Sequence, residues 1–279
     1  MVIDPVPGTG STQSTGGGLM GTPGAIRVVE RDLVFFRRIW KAVVLSAVIQ
    51  PVMFLLGVGL GVGSLVDSGP GAADVLGDVS YFAFYATAII ATATMFVAGQ
   101  EALWPTMDGF MWSNAYRAML STPVVSRDVV FGQLLKFAFR GVITSAGVSL
   151  VLVFFDDTRS WGLIPAIVFG MLTGLSFAMP FAAWTATRES DQSFPAILRF
   201  VVIPMFLFGG AFYPITQLPT ALQPVAWFTP LWHGVELCRG SVLGGLSATD
   251  LLVHIGALIA YVVAGTAASM VTFDRRLRS

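Results

Sequence analysis

The chain has 279 residues, of which 55% are hydrophobic and only 11% charged, against about 25% charged in an ordinary soluble domain. Its formal net charge is zero, which leaves no surplus of basic surface for nucleic-acid phosphates. A single cysteine, Cys238, excludes an internal disulfide and a cysteine-cluster metal site, and His233 and His254 alone are too few for a histidine metal site.

Residues 1–25 are rich in Gly, Ser, Thr and Pro and lack the charged start and apolar centre of a cleavable signal peptide. They read as a disordered cytosolic tail, with 26–279 as a single membrane domain. Ile26–Lys41 follows as an amphipathic segment. Ile26, Val29, Leu33, Phe36 and Trp40 fall on one helical face, and Arg27, Arg31 and Arg38 on the other. A helix of this kind lies in the membrane interface. It serves as an anchor that sets topology, as an elbow against which a cytosolic partner docks, or as both.

A bilayer core needs about 20 mostly apolar residues per helix. Six stretches qualify: Ala42–Val66, Val79–Leu103, Val129–Phe155, Leu163–Thr187, Phe194–Tyr213 and Leu251–Phe273. The fold class is therefore all-α integral membrane, with six transmembrane helices. Fourteen of the sixteen Lys and Arg residues lie in the N-terminal segment, the second and fourth connections, the C-terminus or the adjoining helix ends. Only Arg159 and Arg239 lie on the other side, beside Asp67, Asp74, Asp78, Asp156, Asp157, Glu236 and Asp250. The positive-inside rule puts both termini in the cytoplasm.

In the first span Gly57, Gly59, Gly61 and Gly63 alternate, forming two overlapping G-x-x-x-G pairs. A phosphate loop would need a preceding strand and a following G-K-[ST], and neither is present. Small residues four apart instead let helix backbones approach closely in lipid, within the chain or with a subunit partner.

Glu101, Lys136, Arg140 and Arg199 lie within or near spans, towards the cytosolic ends. A lone charge at a helix centre costs about 2.5–3.5 kcal/mol or more. The long cations can reach the interface, but the short Glu101 side chain needs a partner, Lys136 or Arg140. A structural ion pair is the expectation. A proton relay would show several acids in series.

The second connection, Asp108–Asp128, carries a short helical stretch, Trp112–Ser121, stopped by Pro123. It reads as a plain interfacial connector or as a mechanical coupler. In the second case Tyr116, Met119 and Leu120 fill a socket on another protein and Arg117 pairs with an acid there.

The last external segment, Gly209–Asp250, is punctuated by Pro214, Pro219, Pro224 and Pro230. It is nevertheless apolar, with Phe212, Tyr213, Leu218, Leu222, Trp227, Phe228, Leu231 and Trp232. Water would disfavour that surface, so the segment should dip into the outer leaflet as short re-entrant helices packed on protein. Glu236 and Arg239 are spaced to pair on one face.

No P-loop, nucleophile elbow or zinc-protease motif is present in the sequence. Any ATP used must be bound by a separate chain.

The run Pro204-Met-Phe-Leu-Phe-Gly-Gly-Ala-Phe-Tyr-Pro-Ile-Thr-Gln-Leu-Pro219, continued through Thr229-Pro230-Leu231 to Glu236-Leu-Cys-Arg239, resembles the signature of type-2 ATP-binding-cassette exporter permeases. Among these it is most similar to membrane subunits that export nodulation factors, which are lipo-chitooligosaccharides. It is also similar to daunorubicin-type efflux permeases. The resemblance extends over Phe35–Val66, with Gln50-Pro51 ahead of the glycines, and over Met119–Gly132. Gly209 departs from the pattern, where relatives often carry Ser.

The resemblance implies a permease in the bacterial inner membrane, paired into a dimer (a homodimer by expectation) and bound to two copies of a cytosolic ATPase subunit. The chain itself would hold no cofactor, with ATP and Mg in the partner. Tyr116, Arg117, Met119, Leu120, Thr122 and Arg127 would couple to that partner. Phe212, Tyr213, Pro214, Leu218, Trp227, Phe228, Trp232, Glu236 and Arg239 would form an external gate. The cargo would be an amphipathic glycolipid, lipid-linked glycan or lipo-oligosaccharide, or alternatively a drug. A polytopic membrane enzyme of lipid or glycan metabolism is the rival from another class, with His233 and Glu236 as its loosely suggestive pair.

Overall fold

The computed structural model of the chain describes Arg37, Arg38, Trp40, Lys41, Leu45, residues 49–69, Leu76 and residues 79–278. The 1–25 tail, most of the Ile26–Lys41 amphipathic segment and most of the first external connection lie outside the described residues. Among the described residues every regular element is helical, as an all-α integral membrane protein requires, because each backbone polar group must be satisfied without water.

Among the described residues five helices are long and apolar enough to cross a membrane: α1 (Ile49–Asp67), α2 (Tyr81–Phe110), α4 (Ser126–Leu152), α5 (Leu163–Thr185) and α9 (Ala248–Arg278). The fifth expected span is a shorter apolar helix, α6 (Phe194–Phe208). The described residues also form the shorter helices α3 (Ala115–Leu120), α7 (Gln223–Trp227) and α8 (Pro230–Leu243).

Several boundaries differ from the sequence expectation for identifiable reasons. The second span runs seven residues past Leu103, through Pro105, to Phe110. A proline is tolerated there because neighbouring helices and local adjustment satisfy the freed carbonyl. Its other end is fixed by Ser80, whose hydroxyl accepts from the Ala83 amide at 3.2 Å. Helix α4 starts at Ser126, where the Asp128 carboxylate accepts from the Val125 amide at 3.2 Å. Helix α6 ends at Phe208 rather than Tyr213, because Gly209 closes it and Gly210 adopts φ +79°, a turn that reverses the chain.

Helix α2 is the core of the bundle, buried nearly throughout, with α5, α4 and α8 packed around it and α9 against α5. The opposite ends of the bundle are pinned by polar contacts. At one end Ser126 donates to Asp274 at 2.6 Å and Arg276 donates to the Thr185 carbonyl at 3.0 Å. This end also carries Arg117, Arg127, Arg188, Arg275 and Arg278, and is called the basic end below. At the other, acidic end, Asp67 accepts from the Tyr81 amide at 2.9 Å and Ser80 donates to Asp157 at 2.7 Å.

Helix α8 runs back into this bundle. It is started by Thr229 and Pro230, the Thr229 hydroxyl accepting from the Trp232 amide at 3.4 Å. Gly234 lies so close to Thr173, halfway along α5, that no Cβ fits, and Gly162 lies equally close to the Ser241 carbonyl at the acidic end. The segment from Pro224 to Pro230 therefore reaches the middle of the bundle, and α8 climbs from there to the acidic end.

Candidate functional site

Helices α1, α2, α4 and α6 line a partly open cavity of about 130 Å³ around the middle of the bundle. Its apolar walls are Phe54, Phe96 and Phe206, and its polar groups are Gln50, Thr92, Gln100, Glu101 and Arg140. The two peripheral helices that line it share an irregularity. Helix α1 winds as a π-helix over Leu55–Val62, and α6 does so over Leu198–Val202. Such wide turns are rare and concentrate at functional sites.

Glu101 is held between two cations at the cavity floor. Arg140 donates through Nε at 3.0 Å and also through Nη2, and Lys136 Nζ lies 3.7 Å from the other carboxylate oxygen. All three side chains are mostly buried. The sequence offered Lys136 or Arg140 as partner, and the fold supplies both. Pairing with both cations makes the Glu101 carboxylate affordable at a depth where a lone one would not be.

From the cavity a column of rings leads towards the acidic end. Phe206 packs on Phe54 (6.2 Å between centroids), Phe96 (5.2 Å) and Phe212 (4.7 Å). Phe212 stacks on Tyr85 at 5.3 Å, and Tyr85 on Tyr81 at 6.3 Å. The column is closed, since Tyr85 is fully buried. Of the expected gate residues, Phe212 stands in this column.

The other gate residues sit around it. Leu218 forms a small core with Ile215 and Ala226, covered by Tyr213 and Trp232, next to the Pro214 bend. Arg239 clamps the turn that follows α6: it donates to the Gly210 carbonyl at 2.7 Å and to Glu236 at 2.9 Å, and lies 3.6 Å above the Phe84 ring. Trp232 packs on both histidine rings, 4.9 Å from each. Trp227 and Phe228 instead turn outward, Phe228 being 79% exposed. His233 meets His254, not Glu236, and among the described residues no group of three or more His, Cys, Asp or Glu residues is disposed to hold a metal.

The basic end carries the second surface. Helix α3 is anchored by Tyr116, whose ring lies against Gly109 where no Cβ would fit, and packs on Phe110 at 4.7 Å and Phe273 at 5.7 Å. This corrects one expectation: Tyr116 is 1% exposed and occupied by its own chain, so it fills no socket elsewhere. The helix is also shorter than Trp112–Ser121, because Asn114 enters it in the left-handed conformation, φ 50°. Arg117, Thr122 and Arg127 are exposed, and Met119 and Leu120 half-buried. Trp112, 58% exposed, and Met111 add apolar surface beside them. Neither was singled out from the sequence, although an unaccounted tryptophan in a polar connection was the available signal.

The four glycines of α1 divide into two pairs. A Cβ at Gly59 would meet Phe82 at 3.1 Å, and one at Gly63 would meet Tyr81 at 3.6 Å, so this pair packs on α2. Among the described residues nothing lies within 4 Å of a Cβ at Gly57 or Gly61. Packing among the described residues therefore accounts for one pair.

Residues 26–243 match the family model described as "ABC-2 type transporter". The chain is 31% identical to Nodulation protein J of Rhizobium leguminosarum bv. viciae over 252 residues, which cover 90% of this chain and 94% of that one. It is 30% identical to Nodulation protein J of Rhizobium meliloti over 252 residues, covering 90% and 93% of the two chains. It is 22% identical to the inner membrane transport permease YadH of Escherichia coli over 236 residues, covering 84% and 88%. A bundle of apolar helices around a closed aromatic column, matched over most of its length by this family, identifies the chain as a membrane-spanning permease of the ABC-2 type transporter family.

Proposed function

We propose that this permease exports an amphipathic molecule: a glycolipid, a lipid-linked glycan or a lipo-oligosaccharide. The observation that carries the reading is the cavity with its column of rings. Aromatic faces take either a sugar ring or an acyl chain, and Gln50, Gln100 and Glu101 with its paired cations offer hydrogen bonds. The cavity stands around mid-bundle and buried rings close it towards the acidic end, which suits cargo loaded from the cytosolic side.

In this reading six crossings place both termini in the cytoplasm of a bacterium's inner membrane. Two copies of the permease pair, and two cytosolic ATPase chains bind the ATP and Mg. Trp112, Arg117 and Arg127 form the surface they engage. Exposed Gly57 and Gly61 are left to a second copy. Drug efflux is the second reading, favoured by the modest 130 Å³ of the cavity in one copy.

The test is reconstitution of the chain with its co-purifying ATPase in vesicles, with a fluorescent lipo-oligosaccharide and a cationic drug supplied separately. ATP-dependent movement of the glycolipid, reduced by Phe206→Ala with ATPase binding retained, supports the proposal. Movement of the drug alone selects the second reading. Hydrolysis of ATP by the isolated chain sinks both.

A further inference from the structure

The charges beside the cargo cavity do not balance. Glu101 is one carboxylate set against two cations, Arg140 and Lys136. Arg140 commits Nε and Nη2 to a single oxygen, Glu101 Oε1, and its Nη1 has no hydrogen-bond partner among the described residues. Lys136 Nζ stays 3.7 Å from Oε2, too far for a hydrogen bond. Among the described residues no other acid on the lining helices neutralises the second cation. Asp67 and Asp128 accept from the Tyr81 and Val125 amides at helix ends, and Asp108 is exposed, about two turns beyond Glu101. Helix α6 adds Arg199 and no acid. The Lys136 and Arg140 side chains are only 20% and 18% exposed, so neither simply stretches out into water. A surplus charge held at that depth is costly without a counter-charge.

The cavity is also polarised along its length. Gln50 is its first residue on α1, and Gln100 and Glu101 are its last on α2, so these polar groups lie on the side towards the basic end. Phe206 and the ring column lie towards the acidic end.

We propose that the cavity selects amphiphiles whose headgroup is an oxyanion, a phosphate or a sulfate, seated against Arg140 with the chain among the rings. The uncommitted guanidinium N–H groups match oxyanion oxygens. Lys136, one turn nearer the basic end on α4, supplies the balancing charge, and the Gln50 and Gln100 amides add neutral donors. A cationic headgroup would meet like charge, and a neutral sugar gains nothing from the surplus. The inference deepens the export reading and rests on it for the cavity's role as the cargo site.

The test uses the full chain in phosphatidylcholine nanodiscs and a set of dodecyl diazirine probes. These carry a methyl phosphodiester, a glucoside or a trimethylammonium headgroup. At equal concentration the phosphodiester should label the cavity walls at Phe54, Phe96 and Phe206 about tenfold more than the glucoside. Lys136→Gln leaves Glu101 paired with Arg140 and should erase most of that preference, with glucoside labelling unchanged. Glu101→Gln, measured on the fraction that elutes as folded protein, should strengthen it. Equal labelling by phosphodiester and glucoside, or a preference indifferent to Lys136→Gln, overturns the proposal and leaves the export reading standing. A preference for trimethylammonium overturns it too. Excess inorganic phosphate should leave the phosphodiester in place, and displacement by phosphate would make this a free-anion site and overturn the amphiphile. If none of the probes labels these walls, the cavity is no cargo site, and the export reading built on it falls together with the proposal.

Discussion

The Nδ1 atoms of His233 and His254 lie 2.8 Å apart, so one imidazole donates and the other accepts, joining α8 to α9 inside the bundle. Both rings are buried, and Trp232 covers them. A single replacement, His254→Leu, leaves a buried nitrogen without its partner and should destabilise by about 1–3 kcal/mol. Replacing both should cost clearly less than the two single losses together. Thermal unfolding in detergent, arranged as a double-mutant cycle, measures the difference. Strict additivity would show that the contact contributes nothing.

Glu101 is the common partner of Arg140 and Lys136, so the triad behaves asymmetrically. Removing the acid strands two cations. Breaking a fully buried pair costs about 3–5 kcal/mol, and the partial exposure of this one reduces the expectation to about 1–3 kcal/mol for Glu101→Ala. Lys136→Ala should cost well under half of that, since Arg140 keeps its own contact. The charge swap Glu101→Arg with Arg140→Glu should recover much of the folded yield, read by size-exclusion chromatography in detergent.

Helix α3 separates an inward from an outward role within two residues. Tyr116→Ala removes a buried ring packed on Phe110 and Phe273 and should lower stability by about 3–5 kcal/mol. Arg117→Ala and Trp112→Ala should leave the melting temperature nearly unchanged but weaken association with the ATPase by tenfold or more, as expected for interface anchors. Binding measured by microscale thermophoresis, paired with melting curves, separates the two. Equal effects on both readouts at all three positions would sink the assignment.

Topology is open to direct labelling because the native Cys238 is buried and silent. With Ser160→Cys, an impermeant maleimide should react in intact cells. With Ser190→Cys it should react only after permeabilisation. The reverse pattern would place the basic end outside.

The sequence made the spans legible because composition alone decides what lipid will accept. Charge asymmetry then distinguished the two ends without any knowledge of packing. Helix lengths were less legible. Pro105 looks like an end, but inside a bundle α2 continues past it, whereas α6 stops early at a glycine turn whose φ only the fold reveals. Among site residues, the partner of Glu101 followed from electrostatics within a short choice. Tyr116 did not follow, because its pocket is Gly109, a contact between two helices that no local pattern encodes. The cavity was missed for the same reason: Gln50, Gln100 and Phe206 come from three helices and are unremarkable in their own segments.

The shortness of α6 has a consequence for the surrounding bilayer. At about 1.5 Å per residue, the run from Phe194 to Phe208 covers about 22 Å, against a hydrocarbon thickness near 30 Å. On the six-crossing reading this wall of the permease is several ångströms too short, and a short span is accommodated by local thinning of the bilayer. Lipid next to Phe200, which is 74% exposed on this helix, would then be compressed beside the cargo cavity. Compression shortens the distance over which a polar headgroup must cross apolar surroundings. The protein would thus lower part of the barrier to translocation through the shape it imposes on its solvent, and its turnover should fall as acyl chains are lengthened in reconstituted membranes.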